Sequence, residues 1–487
     1  MLDIGIVGAG LSSLYAACYL AKHGHKVSVF EKNAMSGGRS QTFTADGFTF
    51  DMGPSWYWMP ELIDKMFNDL GEKRTDYYNL KRLDPAYRVF WKDRTYTDVP
   101  ANKKALEAMF DNLETNGGST LDKFLKDAKV KYDIATKDFL ELPGLKLTEL
   151  LQLKALKAAF KLDVFKSVER DVHSRFSSDK ARSILDFPVL FLGALPGNIP
   201  SLYTLMNYAD LELGTWYPEN GMHDLASALE KIARKEGVEF HFNAKVDRIE
   251  ASNGAVKGLI VNDEVMYFDQ IISGADYHFT EQKLLPKEYR RYTQSYWDKR
   301  QMAPSSLIFY LGFDKKIKGL DHHNLFFDED LKQHGAEIYT APDWPSKPLF
   351  YACTPSKTDS RVAPEGKENV FILMPLAPDV EDNDELREKY LSIILERMES
   401  HLGISLKDQI IFKRSFCVSD FKSEYNSFKG NAYGLANTLN QTANLKPKMK
   451  SKLKGFYFCG QLTVPGPGIP PALISGKIAA KQIIDNL

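Results

Sequence analysis

The first thirty-one residues carry two glycines and an acidic residue whose types and spacing suit a phosphate-bearing ligand. Gly8 and Gly10 occupy the turn of a strand–turn–helix pattern, and Glu31 ends the strand-like stretch that follows. Glycines in such a turn let the backbone approach a pyrophosphate, and the helix N-terminus stabilises the negative charge of that pyrophosphate. The acidic residue accepts a hydrogen bond from a ribose hydroxyl. Ser13 stands where this fingerprint has its third glycine, and it is small enough for helix and strand to pack closely. The spacing therefore predicts a dinucleotide-binding turn.

A second glycine pair follows the acidic residue and ends in a cation. Gly37 and Gly38 supply flexible backbone, and Arg39 places a fixed positive charge beside them. Alone, this stretch would be an ordinary surface turn. Joined to the first motif, it provides a second set of contacts to the same pyrophosphate. FAD requires this second set, and NAD does not. We therefore predict FAD as the cofactor.

The composition limits what else the chain can do. Its 487 residues suit two or three domains, and 63 basic against 64 acidic residues disfavour nucleic acid as a partner. The four cysteines form neither a C-x-x-C pair nor a disulfide framework, so we expect reduced thiols, a cytosolic protein and no metal site. We expect no secretory signal, and no uncharged run reaches the ~18 residues of a membrane span.

Two apolar stretches are candidates for contact with a substrate. Trp56, Tyr57 and Trp58 are consecutive, and they suit either the core or the wall of an apolar substrate cavity. Residues 184–206 contain a single charge and three prolines, which rules against a continuous membrane-spanning helix. We expect this second stretch to be a kinked, buried segment that belongs to the core rather than to the lining of a tunnel.

A basic amphipathic pattern lies between residues 144 and 170. Lys154, Lys157 and Lys161 fall on one face of the predicted helix, with leucines elsewhere. A solvated helix on a globular core and a helix lying on an anionic membrane both explain this pattern, and we favour the membrane.

The C-terminal stretch returns to a strand–turn–helix pattern. An aromatic strand ends near Gly460, a loop of prolines and glycines follows, and a helix begins near Pro471. A helix N-terminus and glycine backbone at the end of a strand suit a flavin ring that gains negative charge.

Together these motifs resemble the bacterial phytoene desaturases and their carotenoid desaturase, oxidase and isomerase relatives, within the amine oxidase-like FAD flavoproteins. The likeness covers almost the whole chain. The opening GAG with Glu31-Lys32, then GGR, GFTFDMGPS, YPENGMHDLASAL and FCGQLTVPGPGIP fall in the order of that family. Asn220 replaces a frequent glycine of the family. The residues of the terminal signature that differ from the commoner ones are Gln461, Leu462, Val464 and Pro467.

The resemblance implies an α/β fold with a Rossmann-like FAD-binding domain of the GR2 flavoprotein type, a discontinuous α+β substrate domain and a helical membrane-associating subdomain. Residues 1–70, 211–295 and 416–487 would form the FAD-binding domain. Residues 71–210 would form the helical, substrate and membrane-associating region, and residues 296–415 the β-sheet part of the substrate domain.

The resemblance also implies which residues hold the cofactor. Those around the adenosine and pyrophosphate would be Gly8, Gly10, Glu31, Lys32, Gly38 and Arg39. Val246 would meet the adenine through its backbone. Those bordering the isoalloxazine would be Gly53, Pro54, Ser55, Gly460, Gly468, Ile469 and Pro470.

The implied chemistry is transfer of a hydride to the flavin and loss of a proton from the neighbouring carbon, which makes a double bond in a long polyene. Phytoene is the expected substrate, taken from the cytoplasmic face of the membrane. The alternatives are a 3,4-desaturase acting on a hydroxylated or cyclised carotenoid, a carotenoid isomerase, and a non-enzymatic prenyl-lipid carrier of the Rab escort type. An amine oxidase is disfavoured, because the apolar segments offer no evident cage for an ammonium group.

The sequence leaves the catalytic residues open. His223 begins a predicted helix, where a histidine is more often solvated or a cap than a catalytic base. The electron acceptor, oxygen or a quinone, also stays open.

Overall fold

The computed structural model describes residues 1–142, 166–438, 441–442 and 445–486. The basic segment with Lys154, Lys157 and Lys161 lies outside the described residues. None of the described helices combines the length and the apolarity that a membrane crossing requires.

Strands and helices are interspersed along the chain. The strands are β1 (Asp3–Val7), β2 (Lys26–Phe30), β3 (Thr42–Ala45), β4 (Phe48–Asp51), β5 (Leu80–Arg82), β6 (Tyr87–Trp91), β7 (Tyr96–Val99), β8 (Trp216–Pro218), β9 (Glu239–His241), β10 (Val246–Ser252), β11 (Ala255–Val261), β12 (Glu264–Tyr267), β13 (Gln270–Ser273), β14 (Ser305–Phe313), β15 (His323–Phe327), β16 (Phe350–Cys353), β17 (Glu368–Leu376), β18 (Ile410–Phe416) and β19 (Phe456–Phe458).

The α-helices are α1 (Leu11–Lys22), α2 (Pro60–Asp69), α3 (Lys103–Leu113), α4 (Gly117–Ile134), α5 (Val168–His173), α6 (Asp179–Asp186), α7 (Leu205–Leu211), α8 (Asp224–Lys235), α9 (Tyr277–Phe279), α10 (Gln294–Asp298), α11 (Leu331–Tyr339), α12 (Asp384–Leu402), α13 (Val418–Tyr425) and α14 (Ile469–Ile484).

A five-stranded parallel sheet has the strand order β19-β13-β1-β2-β9. Helix α1 is buried along ten of its twelve residues because it packs on this sheet and against α8 and α14. The register aligns Val7 with Phe30 and with Ser273, and Ser273 with Phe458. The carboxyl ends of four strands therefore meet at one edge, which is where open α/β sheets bind their ligands.

A seven-stranded mixed sheet has the order β18-β14-β17-β16-β15-β6-β7. Its strand β14 is buried at all nine positions. Helix α12 covers one face with a stripe of Tyr390, Leu391, Ile394, Leu395 and Met398 at helical spacing. Burial of each such aliphatic side chain stabilises the fold by about 1.5–3 kcal/mol. The opposite face of β14 is left for the site described below.

The seven-stranded sheet is discontinuous in sequence. Strands β6 and β7 come from the first hundred residues, and β6 pairs in parallel with β15, more than two hundred residues later. The chain between β7 and β8 contributes helices that pack on the same core. A smaller three-stranded antiparallel sheet of β10, β11 and β12 lies beside β13.

Candidate functional site

A continuous cavity of about 990 Å³ links the carboxyl edge of the five-stranded sheet to the seven-stranded sheet. This volume is at the upper end of the ~300–1,000 Å³ typical of ligand sites. One end is built from the glycine turns, and the other from aromatic and aliphatic side chains.

The turn between β1 and α1 opens into the cavity. Gly8 has a φ of 84°, which favours glycine, and its N–H donates to the carbonyl of Phe30 at 2.7 Å. Helix α1 begins directly after Gly10, and no side chain caps its first turn. A Cβ atom built on Gly10 would meet nothing within 4 Å. The helix N-terminus is therefore open to an anionic ligand.

The second glycine turn packs directly on the first. The N–H of Gly37 donates to the carbonyl of Ala9 at 2.8 Å, and Gly37 has a φ of 108°. A Cβ atom on Gly38 would lie only 3.2 Å from the Cα atom of Gly10. The two backbones approach so closely that side chains would push them apart, and together they form one end of the cavity wall.

Arg39 places a cation in the same wall. Its Nη2 atom donates to the hydroxyl of Ser427 at 3.1 Å, and its guanidinium lies over the ring of Tyr425, 5.1 Å from the centroid. Its Nε atom is buried without a hydrogen-bond partner among the described residues. Burial lowers the pKa of Arg39, partly offset by Asp276, and the group stays charged at neutral pH. An orphaned donor on a buried cation fits a pyrophosphate oxygen.

Glu31 and Lys32 border the same end of the cavity. The Glu31 carboxylate accepts from the N–H of Ala9 at 2.7 Å and of Asn33 at 2.9 Å, so it ties the end of β2 to the first glycine turn. Burial raises the pKa of Glu31 despite these two hydrogen bonds. The Lys32 ammonium donates to the carbonyl of Ser423 at 2.7 Å, which directs its charge toward α13.

Two further loops line the middle of the cavity. A Cβ atom on Gly53 would lie 2.4 Å from the carbonyl oxygen of Arg39, so this loop packs on the second glycine turn. Gly468 has a φ of 113° and directly precedes α14, whose first residues are apolar. The N–H of Gly460 donates to the Ser475 hydroxyl at 2.9 Å, which fixes the end of β19. The other predicted residues that line the cavity are Gly53, Pro54, Ser55, Val246, Gly460, Gly468, Ile469 and Pro470.

Ser13 is the one predicted cofactor residue outside the cavity wall. It is fully buried on α1. A Cβ atom added to Gly274 would lie 2.1 Å from the Ser13 hydroxyl oxygen, so the two residues are in close contact. Its contribution is close packing of the helix against the end of β13, as the third position of the fingerprint requires.

The three consecutive aromatic residues belong to the cavity wall and to the core at once. Trp56 stacks on the imidazole of His323 with 4.0 Å between ring centroids. The indole N–H of Trp58 donates to the hydroxyl of Thr215 at 2.8 Å. The hydroxyl of Tyr57 bonds to that of Tyr78 at 2.7 Å.

The expectation that residues 184–206 belong to the core rather than to a tunnel lining is wrong for much of the segment. Its short helical turns alternate between the core and the cavity, because prolines interrupt a continuous helix. The residues of this segment that line the cavity are Phe187, Leu190, Phe191, Leu192, Ala194, Leu195, Pro200, Leu202, Tyr203, Leu205 and Met206.

His223 is the N-cap residue of α8, but its side chain makes no capping hydrogen bond to the helix. Its Nδ1 atom forms a hydrogen bond with the carbonyl oxygen of Ser40 at 2.8 Å. A Cβ atom added to Gly37 would lie 3.2 Å from the same Nδ1 atom. The His223 side chain therefore packs against the second glycine turn and helps to hold its conformation.

Sequence patterns missed the wall that the seven-stranded sheet provides. Its alternating apolar residues look the same whether they face a core or a cavity. The residues of β14, β16 and β17 in the wall are Ser306, Ile308, Phe350, Tyr351, Leu373 and Pro375.

An open helix N-terminus, two stacked glycine turns and a buried orphaned cation fit the pyrophosphate of a flavin dinucleotide. With the adjoining apolar cavity, they define a dinucleotide-binding protein that has a second, apolar ligand site.

Comparison with known proteins agrees with this class. A family model described as flavin containing amine oxidoreductase matches residues 9–484. The carotenoid 3,4-desaturase of Haloarcula japonica is 37% identical over 487 residues, covering 100% of this chain and 98% of that protein. The zeta-carotene-forming phytoene desaturase of Myxococcus xanthus is 30% identical, covering 99% and 93%. An oxidoreductase from Methanosarcina mazei shares the fold, with a TM-score of 0.66 and 16% identity over 99% of this chain and 100% of that one.

The chain belongs to the flavin containing amine oxidoreductase family and, within it, to the carotenoid desaturases. The resemblance inferred from its motifs is confirmed, as are its mixed α/β fold, its FAD cofactor and its oxidoreductase chemistry.

Proposed function

We propose that this protein desaturates a carotenoid, removing two hydrogens from adjacent carbons of a long polyene to form a double bond. The observation that carries the proposal is the continuity of the cavity, from the glycine turns to an aromatic and aliphatic wall. A polyene offers almost no polar handle, so only a long apolar wall can orient it against a flavin.

Different residues of the chain would bind the cofactor and the polyene. The turns at Gly8, Gly10 and Gly38 would hold the pyrophosphate with Arg39, and Glu31 would accept from the ribose. The loops at Gly53 and Gly468 would border the ring system. FAD, when bound, supplies the acceptor for the hydride. The aromatic wall around Trp56 and Trp58 would hold the polyene in register and exclude water from the reacting carbons.

The test is expression in a carotenoid-free bacterium that accumulates phytoene, with pigments identified by chromatography and absorption. Longer conjugated polyenes are expected, and their absorption counts the desaturation steps. A Gly38→Val variant, whose side chain would meet Gly10, is the flavin-deficient control and should leave phytoene unchanged. Unchanged phytoene with flavin-loaded wild-type protein would overturn phytoene as the substrate.

A 3,4-desaturase is the second candidate, favoured by the greater identity to the Haloarcula japonica protein. The same expression test in strains that accumulate a hydroxylated carotenoid separates the two candidates. A product with one additional double bond there, with no product from phytoene, would select the 3,4-desaturase. A shift in cis–trans composition without a longer chromophore would select an isomerase, and protein purified without flavin would favour a prenyl-lipid carrier.

We further propose that the protein takes its substrate from the cytoplasmic face of a membrane. The cavity wall includes Leu140 and Leu142, which directly precede the basic segment in the chain. Replacing Lys154, Lys157 and Lys161 with glutamate should release the protein from anionic liposomes, since each lysine contributes about 1 kcal/mol near such a surface. Matched glutamate replacements at the exposed Lys315, Lys318 and Lys407 are the control. Unchanged pelleting of the first variant would refute the proposal.

A further inference from the structure

Two histidines and a cysteine form a buried cluster behind the aromatic wall. His322 directly precedes β15 and His323 is its first residue, while Cys353 ends β16. The antiparallel register pairs His323 with Cys353. One donor atom from each of the three side chains lies within 4.8 Å of the other two. The three side chains are between 0% and 4% exposed.

Each imidazole is held by one nitrogen and leaves the other free. Nδ1 of His322 bonds to the Thr358 hydroxyl at 2.7 Å, and Nδ1 of His323 bonds to the Tyr351 hydroxyl at 2.6 Å. Both Nε2 atoms are buried without a hydrogen-bond partner among the described residues. Metal-binding histidines show a similar division, since a hydrogen bond orients one ring nitrogen and the other nitrogen binds the ion.

The donor types suit a zinc ion. Neutral imidazole nitrogens donate a lone pair to the metal, and a bound ion would displace the thiol proton of Cys353.

Space for one water molecule lies next to the cysteine. A small cavity of about 10 Å³ is bordered by Cys353, Asp51, Ser55 and Tyr217. This volume is close to the ~10–15 Å³ that one water molecule needs. The Tyr217 hydroxyl is buried without a partner among the described residues, so it is available to such a water.

We propose that His322, His323 and Cys353 bind one zinc ion through two imidazole nitrogens and a thiolate, with a water as fourth ligand. Tetrahedral zinc with bonds of about 2.0 Å to nitrogen and about 2.3 Å to sulfur places its donors about 3.4 Å apart. The donor atoms lie at most 4.8 Å apart, so binding needs each pair to close by about 1.4 Å or less. Binding replaces water ligands of the hydrated ion with two Zn–N bonds and one Zn–S bond, keeps one water, breaks the S–H bond and releases its proton to solvent.

The ion would stabilise one wall of the substrate cavity from the side that faces the protein interior. The ring of His323 stacks on Trp56, and the Tyr351 hydroxyl forms a hydrogen bond with His323. Both Trp56 and Tyr351 line the cavity. A metal that fixes the imidazole would therefore fix two residues of the wall. This role is structural, because the buried cluster lies behind that wall.

The test is the metal content of the flavin-loaded protein, expressed without a histidine tag and dialysed against chelator. We expect about one zinc per chain by mass spectrometry, and X-ray absorption at the zinc edge with one sulfur near 2.3 Å and nitrogens near 2.0 Å. Thr358→Val removes the partner of His322 and should weaken zinc affinity about 10–100-fold while flavin stays bound.

Cys353→Ala should abolish zinc binding, and Cys18→Ala, a change at another buried cysteine, should not. Wild-type protein without zinc, also after dialysis against zinc salt, would overturn the proposal. Full zinc content in Cys353→Ala would overturn it equally. If Cys353→Ala does not fold, the sulfur distance in the wild-type absorption spectrum decides.

Discussion

At the scale of single residues, Arg39 shows how much the site depends on partners that are distant in sequence. Its type and its place after two glycines are evident in the sequence. Its orientation depends on Ser427 and Tyr425, almost four hundred residues later. The sequence therefore predicts that a cation is present, and only the fold shows that its Nε atom is buried without a partner among the described residues.

We predict that Arg39→Lys weakens FAD binding about 10–100-fold. Lysine keeps the charge but loses the planar fork and the contact with the Tyr425 ring, and a hydrogen bond to a charged group is worth about 1.5–3 kcal/mol. The measurement is flavin per chain after gel filtration, together with fluorescence titration of the apoprotein. Arg414→Lys is the matched control, since Arg414 also lies over a ring, that of Phe43, but outside the cavity wall. Equal flavin retention in both variants would contradict the prediction.

At the scale of elements, a buried carboxyl joins α7 to β6 and fixes the aromatic wall. Asp210 accepts from the Tyr87 hydroxyl at 2.9 Å and from the Thr215 hydroxyl at 3.1 Å, and Thr215 in turn accepts from Trp58. Burial raises the pKa of Asp210 to about 7. The position of Trp58 in the wall therefore depends on a carboxyl that the folded state keeps protonated below about pH 7.

This raised pKa predicts a pH dependence of stability. The unfolded chain ionises Asp210 near pH 3.9, so unfolding releases a proton between about pH 4 and 7. The free energy of unfolding should fall as pH rises through that window, by up to about 1.4 kcal/mol per pH unit. Asp210→Asn removes this contribution, so its melting temperature should fall less than that of the wild type between pH 5 and 7. Thermal melts in matched buffers measure this, with the exposed Glu264→Gln as control. Parallel curves for Asp210→Asn and wild type would refute it.

The elements also show where sequence patterns stop being informative. The two glycine turns and the terminal strand–turn–helix pattern were predictable because backbone geometry restricts residue type there. The segment from Ile184 to Met206 was not, since apolar side chains and prolines suit a core and a cavity wall equally. The neighbouring His322-His323 pair carried a signal that was missed, because its third member, Cys353, is adjacent only through the pairing of β15 with β16.

At the scale of the whole molecule, the cavity exists only because both sheets close on it. The glycine turns come from the five-stranded sheet, and Ile308 and Leu373 from the seven-stranded sheet. Neither sheet alone could bring a substrate and a flavin together.

Narrowing the apolar end should therefore block turnover without loss of cofactor. Leu190 lines the cavity on the short helical turn Phe187–Leu192, away from the glycine turns. Leu190→Trp should lower the conversion of a carotenoid substrate by about tenfold or more, because the polyene is displaced from its reacting position. Pigment yield and flavin content measure the two effects separately. Ile411→Trp, at a residue 46% exposed on β18, is the control. Loss of flavin in Leu190→Trp, or unchanged conversion, would contradict this separation.

The strand order of the five-stranded sheet has a consequence for engineering. Its strands come from three separate stretches of chain, with β1 and β2 near the start, β9 and β13 in the middle and β19 near Gly460. No contiguous fragment contains a whole cofactor site. A chimera of two relatives that exchanges one stretch would pair foreign glycine turns with a native loop at Gly468, and productive exchanges must move all three stretches together.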